Sequence, residues 1–375
     1  MGRNSFHAAV ERGSQFFSRG GSVDRNSFHG TAEMEKRTTG TRGGLWCLAI
    51  IALFIAIQIS IDADLLVFLL PYDDSATAFT GQIVWITGAS SGIGAALALD
   101  LVKGGAKVII SARREKELAD VKALAATTYP SSPAIDVLPL DVLDSSAQQA
   151  AYKSIIDKYK HIDVVVLNAG RSQRSLAMDF DVDQTRDLFS LNFFSYVTTA
   201  KLVVPDMQKR KSGKIVVMSS LAGKMGVTVS SSYSATKFAL HGYFDGLRSE
   251  VSRDGIAVIL ACPGPVKSEI VKRAMIADIK TPSGPAAQSI VTEDSEKKMK
   301  TERCTLLVAK AIQWSLGEVW ISQQPFLSVT YLAEYAPFLS RSLWAKVLGP
   351  GRVGAMLSGG DLYDVKQLFQ GVGKK

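Results

Sequence analysis

The sequence predicts a doubly wound α/β fold, a seven-stranded parallel sheet with helices on both faces, preceded by an N-terminal membrane-anchor helix. Three observations carry that expectation. From Thr80 onward, short β-branched runs alternate with stretches long enough for crossover helices. A glycine cluster follows the first of those runs directly. An almost unbroken apolar segment precedes the whole pattern.

The strands are expected at residues 82–86, 107–111, 135–140, 163–167, 214–218 and 256–260, with a shorter seventh at 319–321. These runs are mostly apolar rather than strictly alternating, as strands buried on both faces are. Each neighbouring pair brackets a helix-length segment, the signature of parallel strands joined by crossovers. Residues 80–325 are therefore read as one catalytic-type domain.

Before it lie two other segments. Residues 1–44 are polar and rich in Gly, Ser and Arg, and read as a disordered tail. The pentapeptide Arg3-Asn4-Ser5-Phe6-His7 recurs at residues 25–29, with no further feature to give it a role. Residues 45–61 are apolar except for Gln58 and Ser60. Asp62 and Asp64 then interrupt before residues 65–70 resume. Seventeen helical residues span roughly 25 Å, somewhat less than a hydrocarbon core of roughly 30 Å. Residues 45–70 are read as a single membrane anchor, which makes membrane lipid an expected partner. The seven Lys and Arg of the tail favour a cytosolic N-terminus, and hence a lumenal domain if the segment spans. A segment that only dips into the bilayer leaves the domain cytosolic.

The net charge of +8 admits an anionic cofactor, membrane or nucleic acid. No basic run or nucleic-acid motif supports the last, and no nucleic-acid partner is expected. Cys47, Cys262 and Cys304, with His7, His29, His161 and His241, lack metal-ligand spacing, so no metal is expected either.

The chemistry lies in the loops after the strands. Thr87-Gly88-Ala89-Ser90-Ser91-Gly92-Ile93-Gly94 follows the first strand and opens a helix. Glycines there let the backbone approach a pyrophosphate, and the helix N-terminus offers free N–H groups. The second strand ends in Ser111-Ala112-Arg113-Arg114. An acidic residue would suit a ribose 2′-hydroxyl. Guanidinium groups suit a 2′-phosphate, so NADP(H) is expected, with Arg113 the favoured contact. Asp141-Val142 could meet the adenine, and Asn168-Ala169-Gly170 could offer small backbone surface to the cofactor.

Tyr233 and Lys237 lie four apart on a predicted helix, hence on one face. A phenol near pKa 10 is a poor acid or base at neutral pH, and a nearby ammonium lowers that value. The pair alone is a weak signal. Ser220 at the end of the fifth strand adds a hydroxyl able to bond a carbonyl oxygen, and Asn192 lies after the fourth strand.

Together the glycine turn, Asn168-Ala169-Gly170, Asn192, Ser220, Tyr233, Lys237 and Pro263-Gly264 resemble the short-chain dehydrogenase/reductase superfamily, with its Rossmann-type fold. The resemblance implies that Tyr233 is the general acid/base, that Ser220 polarises the carbonyl and that Lys237 tunes Tyr233 and binds ribose. It implies that Asn192 supports a water leading to Lys237. It also implies that Ile93, Val266 and Ser268 meet the nicotinamide end. Leu167 replaces an Asn usual in that pattern, and Ser268 a Thr. Ser172-Gln173-Arg174-Ser175-Leu176, Cys262-Pro263-Gly264-Pro265-Val266 and the stretch from Glu318 to Phe326 narrow the resemblance. They point to a membrane-anchored endoplasmic reticulum branch related to 11-beta-hydroxysteroid dehydrogenase, acting on steroids, retinoids and other carbonyls.

Residues 270–303 read as a cover over a lipophilic small-molecule substrate, or as a helix packed on the core. Residues 326–375 read as a hydrophobic, amphipathic extension, packed under the domain, at a homodimer contact or on the membrane. The expected activity is reduction of lipophilic ketones or aldehydes with NADP(H). The alternatives left open are a sphingoid-type lipid-ketone reductase, an NAD-linked alcohol dehydrogenase, and a catalytically idle membrane-tethered scaffold.

Overall fold

The computed structural model describes residues 61–270, 273–276 and 298–349, with a few isolated positions outside these spans. The chain divides into two compact units, Met1–Ile55 and Ala56–Lys375. Residues 1–44, read as a disordered tail, and most of residues 45–61 lie outside the described residues, as do most of residues 270–303 and the end of the chain.

The second unit is built on seven parallel strands: β1 (Ile83–Thr87), β2 (Lys107–Ser111), β3 (Asp136–Val137), β4 (Val164–Leu167), β5 (Gly213–Met218), β6 (Ile256–Pro263) and β7 (Glu318–Ile321). Their order is β3-β2-β1-β4-β5-β6-β7. The order reverses between β1 and β4, which opens a crevice at the carboxyl edge of the sheet.

Successive side chains of a strand face opposite ways, and both faces are apolar here. Val84, Ile86, Val108, Ile110, Val164, Val166 and Ile259 pack against Leu97 and Leu101 of α2 (Gly92–Lys103) and Leu307 and Ile312 of the helix Thr301–Trp314. Trp85, Ile109, Val165, Val217, Val258 and Leu260 turn the other way. They meet Ile155 of Ser145–Tyr159, Tyr196 and Val203 of Ser195–Arg210, and Leu240 and Phe244 of Ser231–Glu250. Among the described residues the α-helices in chain order are α1 (Leu65–Leu69), α2, α3 (Glu115–Thr128), α4 (Ser145–Tyr159), α5 (Val182–Phe189), α6 (Ser195–Arg210), α7 (Ser231–Glu250), α8 (Thr301–Trp314), α9 (Phe326–Tyr335) and α10 (Pro337–Leu343). Where sequence chemistry fixes an end it is visible. Asp144 caps α4 by accepting from the N–H groups of Ser146 and Ala147, and Asp181 with Gln184 forms a capping box on α5.

The boundary expected for the anchor is corrected. Residues from Ile61 onward belong to the globular unit. Ala63 bridges Ile321 in antiparallel fashion, and Ser322 N–H donates to Asp62 O at 2.9 Å. This strap covers the exposed edge of β7. The two aspartates that interrupt the apolar run fix it in place. Asp62 accepts both Arg303 Nε and Nη2, at 2.9 and 2.8 Å. Asp64 accepts the Trp320 N–H and the Tyr331 hydroxyl, each at 2.6 Å. Burial raises the Asp64 pKa, and those two donors partly oppose the rise. Val67 of α1 is fully buried. Among the described residues no helix is long and apolar enough to cross a membrane.

The start of the C-terminal extension also packs on the domain. Leu327 and Thr330 of α9 are fully buried, and Tyr331 lies 4.9 Å from the Trp320 ring. Beyond it Tyr335, Phe338 and Leu339 are exposed.

Candidate active site

The carboxyl ends of β1, β2, β4, β5 and β6 border one cleft of about 570 Å³. Its floor at one end is the turn between β1 and α2. Gly88 and Gly92 there have φ of +69° and +59°, which L side chains rarely adopt. A Cβ on Gly88 would lie 2.6 Å from Ala169 Cα, and one on Gly94 would lie 2.5 Å from Asn168 Nδ2. The end of β4 is thus clasped against the turn, where Asn168 Nδ2 donates to the Thr87 and Gly88 carbonyls, each at 3.0 Å. Ser91 at the N-cap of α2 makes no side-chain cap, so the first N–H groups of that helix are left for a ligand.

The two arginines after β2 take different partners. Arg114 turns onto the glycine turn, donating from Nη2 to Ser90 Oγ at 2.8 Å and Ser91 Oγ at 2.9 Å. Arg113 is more exposed and lies 3.9 Å from Asp141. Both line the cleft, with Asp141 and Val142 beside them.

At the other end stand the hydroxyls and the amine. Ser220, just past β5, donates to Pro263 O and accepts from Ala222 N–H, both at 3.1 Å. Tyr233 and Lys237 occupy successive turns of α7, and Lys237 Nζ lies 5.7 Å from the centre of the Tyr233 ring. The Lys237 amine donates to Met218 O at 2.7 Å. Burial lowers its pKa from 10.5 to about 7, with a smaller opposing contribution from Cys262. The Tyr196 ring, 5.5 Å from the same amine, is itself buried, and its phenol is pushed well above 10.

Of the residues singled out from sequence, Gly88, Ser90, Ser91, Gly92, Ile93, Arg113, Arg114, Asp141, Val142, Asn168, Ala169, Gly170, Ser220, Tyr233, Lys237, Pro263, Gly264, Val266 and Ser268 all line this cleft. Gly94 and Asn192 sit behind it. Asn192 is fully buried in the π-helical turn Ser190–Phe194, where it accepts from Arg171 N–H and donates to Arg171 O, both at 2.9 Å, and to Thr236 Oγ1 at 3.2 Å. Sequence reasoning gave no role to Gln173, whose Oε1 accepts the Tyr233 N–H at 3.1 Å and so holds the start of α7. The buried Arg174, named there only as part of the resembling segment, donates from Nη1 to Ser172 Oγ, Gln173 O and Ser230 Oγ. Neither has a spacing signal, because their partners lie far along the chain.

A family model described as short chain dehydrogenase matches residues 82–277, more than half of the chain. The chain belongs to the short-chain dehydrogenase/reductase family. It is 43% identical over 260 residues to dehydrogenase/reductase SDR family member 7 of Homo sapiens, covering 69% of this chain and 75% of that protein. It is 38% identical to the Mus musculus protein of the same name, covering 82% of this chain and 92% of that one. Among solved structures, a short-chain dehydrogenase from Streptomyces avermitilis is similar, with a TM-score of 0.59 and 26% identity over 71% of this chain and 97% of that one. The chain is therefore an oxidoreductase by family, and the doubly wound parallel sheet is the fold of that family.

Proposed function

We propose that this protein is an NADP(H)-dependent reductase of ketone or aldehyde groups on lipophilic substrates, steroid-like or retinoid-like, acting at the endoplasmic reticulum membrane. The observation that carries the reading is the layout of one cleft. A glycine turn and two guanidinium groups stand at one end, and Ser220, Tyr233 and Lys237 at the other. The turn suits a dinucleotide, since Gly88 and Gly92 take positive-φ conformations that bring backbone close to a ligand and Ser91 leaves the first turn of α2 uncapped. Arg113 and Arg114 supply the positive charge that a 2′-phosphate needs. NADPH, when bound, supplies the hydride. Gly92 and the N-terminus of α2 would hold its phosphates, and Lys237 would hold ribose hydroxyls.

The remaining chemistry belongs to the side chains. The Ser220 hydroxyl bonds the substrate carbonyl oxygen. Tyr233 gives that oxygen its phenolic proton as the carbonyl is reduced. The ammonium form of Lys237 would stabilise the phenolate left on Tyr233, an attraction that strengthens away from water. Leu191, Leu221, Met225, Val227 and Phe326 form an apolar wall around the carbonyl end, which supports a lipophilic substrate. The membrane reading rests on the apolar run at residues 45–61 and the exposed Tyr335, Phe338 and Leu339.

The test is a panel of steroid, retinoid and simple aromatic carbonyls with the full chain, followed by NADPH absorbance. Wild type is expected to oxidise NADPH with at least one class. Tyr233→Phe is expected to lose turnover while still quenching on NADPH binding. Near-normal turnover in that variant would remove Tyr233 from its role.

A further inference from the structure

Behind the cleft, α7 carries a third polar residue in register with Tyr233 and Lys237. His241 lies one further turn along the same helix face and is 7% exposed. Its Nε2 is 3.0 Å from Ser219 Oγ and 3.6 Å from Cys262 Sγ. Its Nδ1 lies 3.4 Å from Glu318 Oε2, within ion-pair reach, and makes no hydrogen bond among the described residues. Glu318 opens β7 and is held by Lys224, 3.2 Å from Oε1, and by the Trp320 indole N–H. Burial alone would raise the Glu318 pKa, but His241, Trp320 and Lys224 outweigh it and bring it down to about 2. Its carboxylate is therefore ionised throughout the neutral range.

His241, Cys262 and Glu318 bring potential ligand atoms within 4.8 Å of one another. The geometry does not favour chelation. The thiol lies on the Nε2 side of the ring and the carboxylate on the Nδ1 side, and the two nitrogen lone pairs point apart. Glu318 Oε1 is also already engaged by Lys224 and Trp320. What the arrangement suits is a relay. An ionised carboxylate 3.4 Å from Nδ1 favours the ring proton on that nitrogen, leaving Nε2 to accept from a hydroxyl.

The loop around Ser219 is shaped for this ring. A Cβ on Gly223 would lie 2.9 Å from His241 Nε2 and from Ser219 Oγ. Gly223 ends the short turn Leu221–Gly223 that Ser220 caps. Lys237 meanwhile holds the carbonyl of Met218 at 2.7 Å. Consecutive turns of α7 thus grip consecutive residues, Met218 and Ser219, and Ser220 comes next.

The geometry points to Glu318–His241–Ser219 as a positioning array that locks the Ser220 loop onto α7 and so fixes the carbonyl-binding hydroxyl relative to Tyr233. This rests on the reductase reading of Ser220 and Tyr233. His241 and Glu318 touch neither substrate nor cofactor in this assignment and act through Ser219.

Two readouts on the full chain test it. The first is long-range ¹⁵N–¹H NMR of the histidine rings, of which there are four. His241 is expected as the Nδ1–H tautomer in the neutral ring, with that preference lost in Glu318→Gln. An Nε2–H tautomer in wild type would overturn the array. The second is steady-state kinetics with a carbonyl that wild type reduces. His241→Phe and Ser219→Ala should each lower kcat roughly ten- to a hundredfold, as loss of alignment does. KM for the carbonyl and the NADPH dissociation constant should stay within about twofold. The double variant should be no worse than the poorer single one, because both cut the same link, and His241→Gln should recover most of the loss. Wild-type kcat in a folded His241→Phe protein, or fully additive losses, would overturn the proposal. If His241→Phe does not fold, Glu318→Gln carries both readouts. Absence of turnover by wild type on every carbonyl would remove the reductase reading instead, and the histidine resonances would still decide the array.

Discussion

Lys237 carries a charge that its surroundings disfavour, and removing it should leave a measurable, pH-dependent mark on stability. The side chain is 4% exposed, and burial lowers its pKa from 10.5 to about 7. Between those values the unfolded chain holds a proton that the folded protein has released. Stability must therefore rise with pH across this window, and below about pH 7 the cost of the buried ammonium is present in full. Moving from about pH 6 to about pH 9.5 should relieve about 3 kcal/mol of it. Lys237→Met keeps the stem and deletes the titration. It also strips the Met218 carbonyl of its donor, which costs about 1–3 kcal/mol at every pH. That second effect cancels when the two pH values are compared, so the informative quantity is the change in the wild-type-minus-variant difference. Urea unfolding of the cofactor-free full chain, for both proteins across this range, measures it. The wild type is expected to gain on Lys237→Met by about 3 kcal/mol as pH rises. Parallel stability curves would refute the reasoning that desolvation, rather than a compensating anion, governs this amine.

Two further expectations follow from the same cleft and from the segment before it. Arg113→Asp should move cofactor preference from NADPH toward NADH in dissociation constants read by fluorescence quenching, because a carboxylate repels a 2′-phosphate and accepts from a 2′-hydroxyl; an unchanged ratio would pass the assignment to Arg114, which already touches Ser90 and Ser91. In sealed microsomes the catalytic unit is expected to resist added protease until detergent opens the vesicle, as the basic flank of residues 1–44 favours a lumenal domain; digestion without detergent would place it on the cytosolic face.

Much of this molecule could be read from local pattern. Most strands stand out because strands buried on both faces are largely apolar, which leaves a visible run; β3, reduced to Asp136–Val137 at the sheet edge, carries less of one. The glycine turn, Ser220, Tyr233 and Lys237 are legible because each follows a strand or shares a helix face at fixed spacing. What local pattern determines is where the chain must be buried and which groups lie at the carboxyl edge of the sheet.

The tertiary structure decided whatever depends on contacts distant in sequence. Asp62 and Asp64 interrupt an apolar run and look like a break in an anchor. Only Arg303, Trp320 and Tyr331, more than two hundred residues away, make them the clasps of a strap on β7. Which arginine faces the glycine turn was equally closed to sequence, since adjacent residues carry the same group and differ only in direction. His241 had the spacing but not the meaning, because a lone histidine on an apolar helix face is ambiguous. It becomes part of a relay only when β5 brings Ser219 and β7 brings Glu318 to its two nitrogens. Periodicity fixes faces; hydrogen-bond partners are fixed by the packing of those faces, and that is where the remaining function of this site is written.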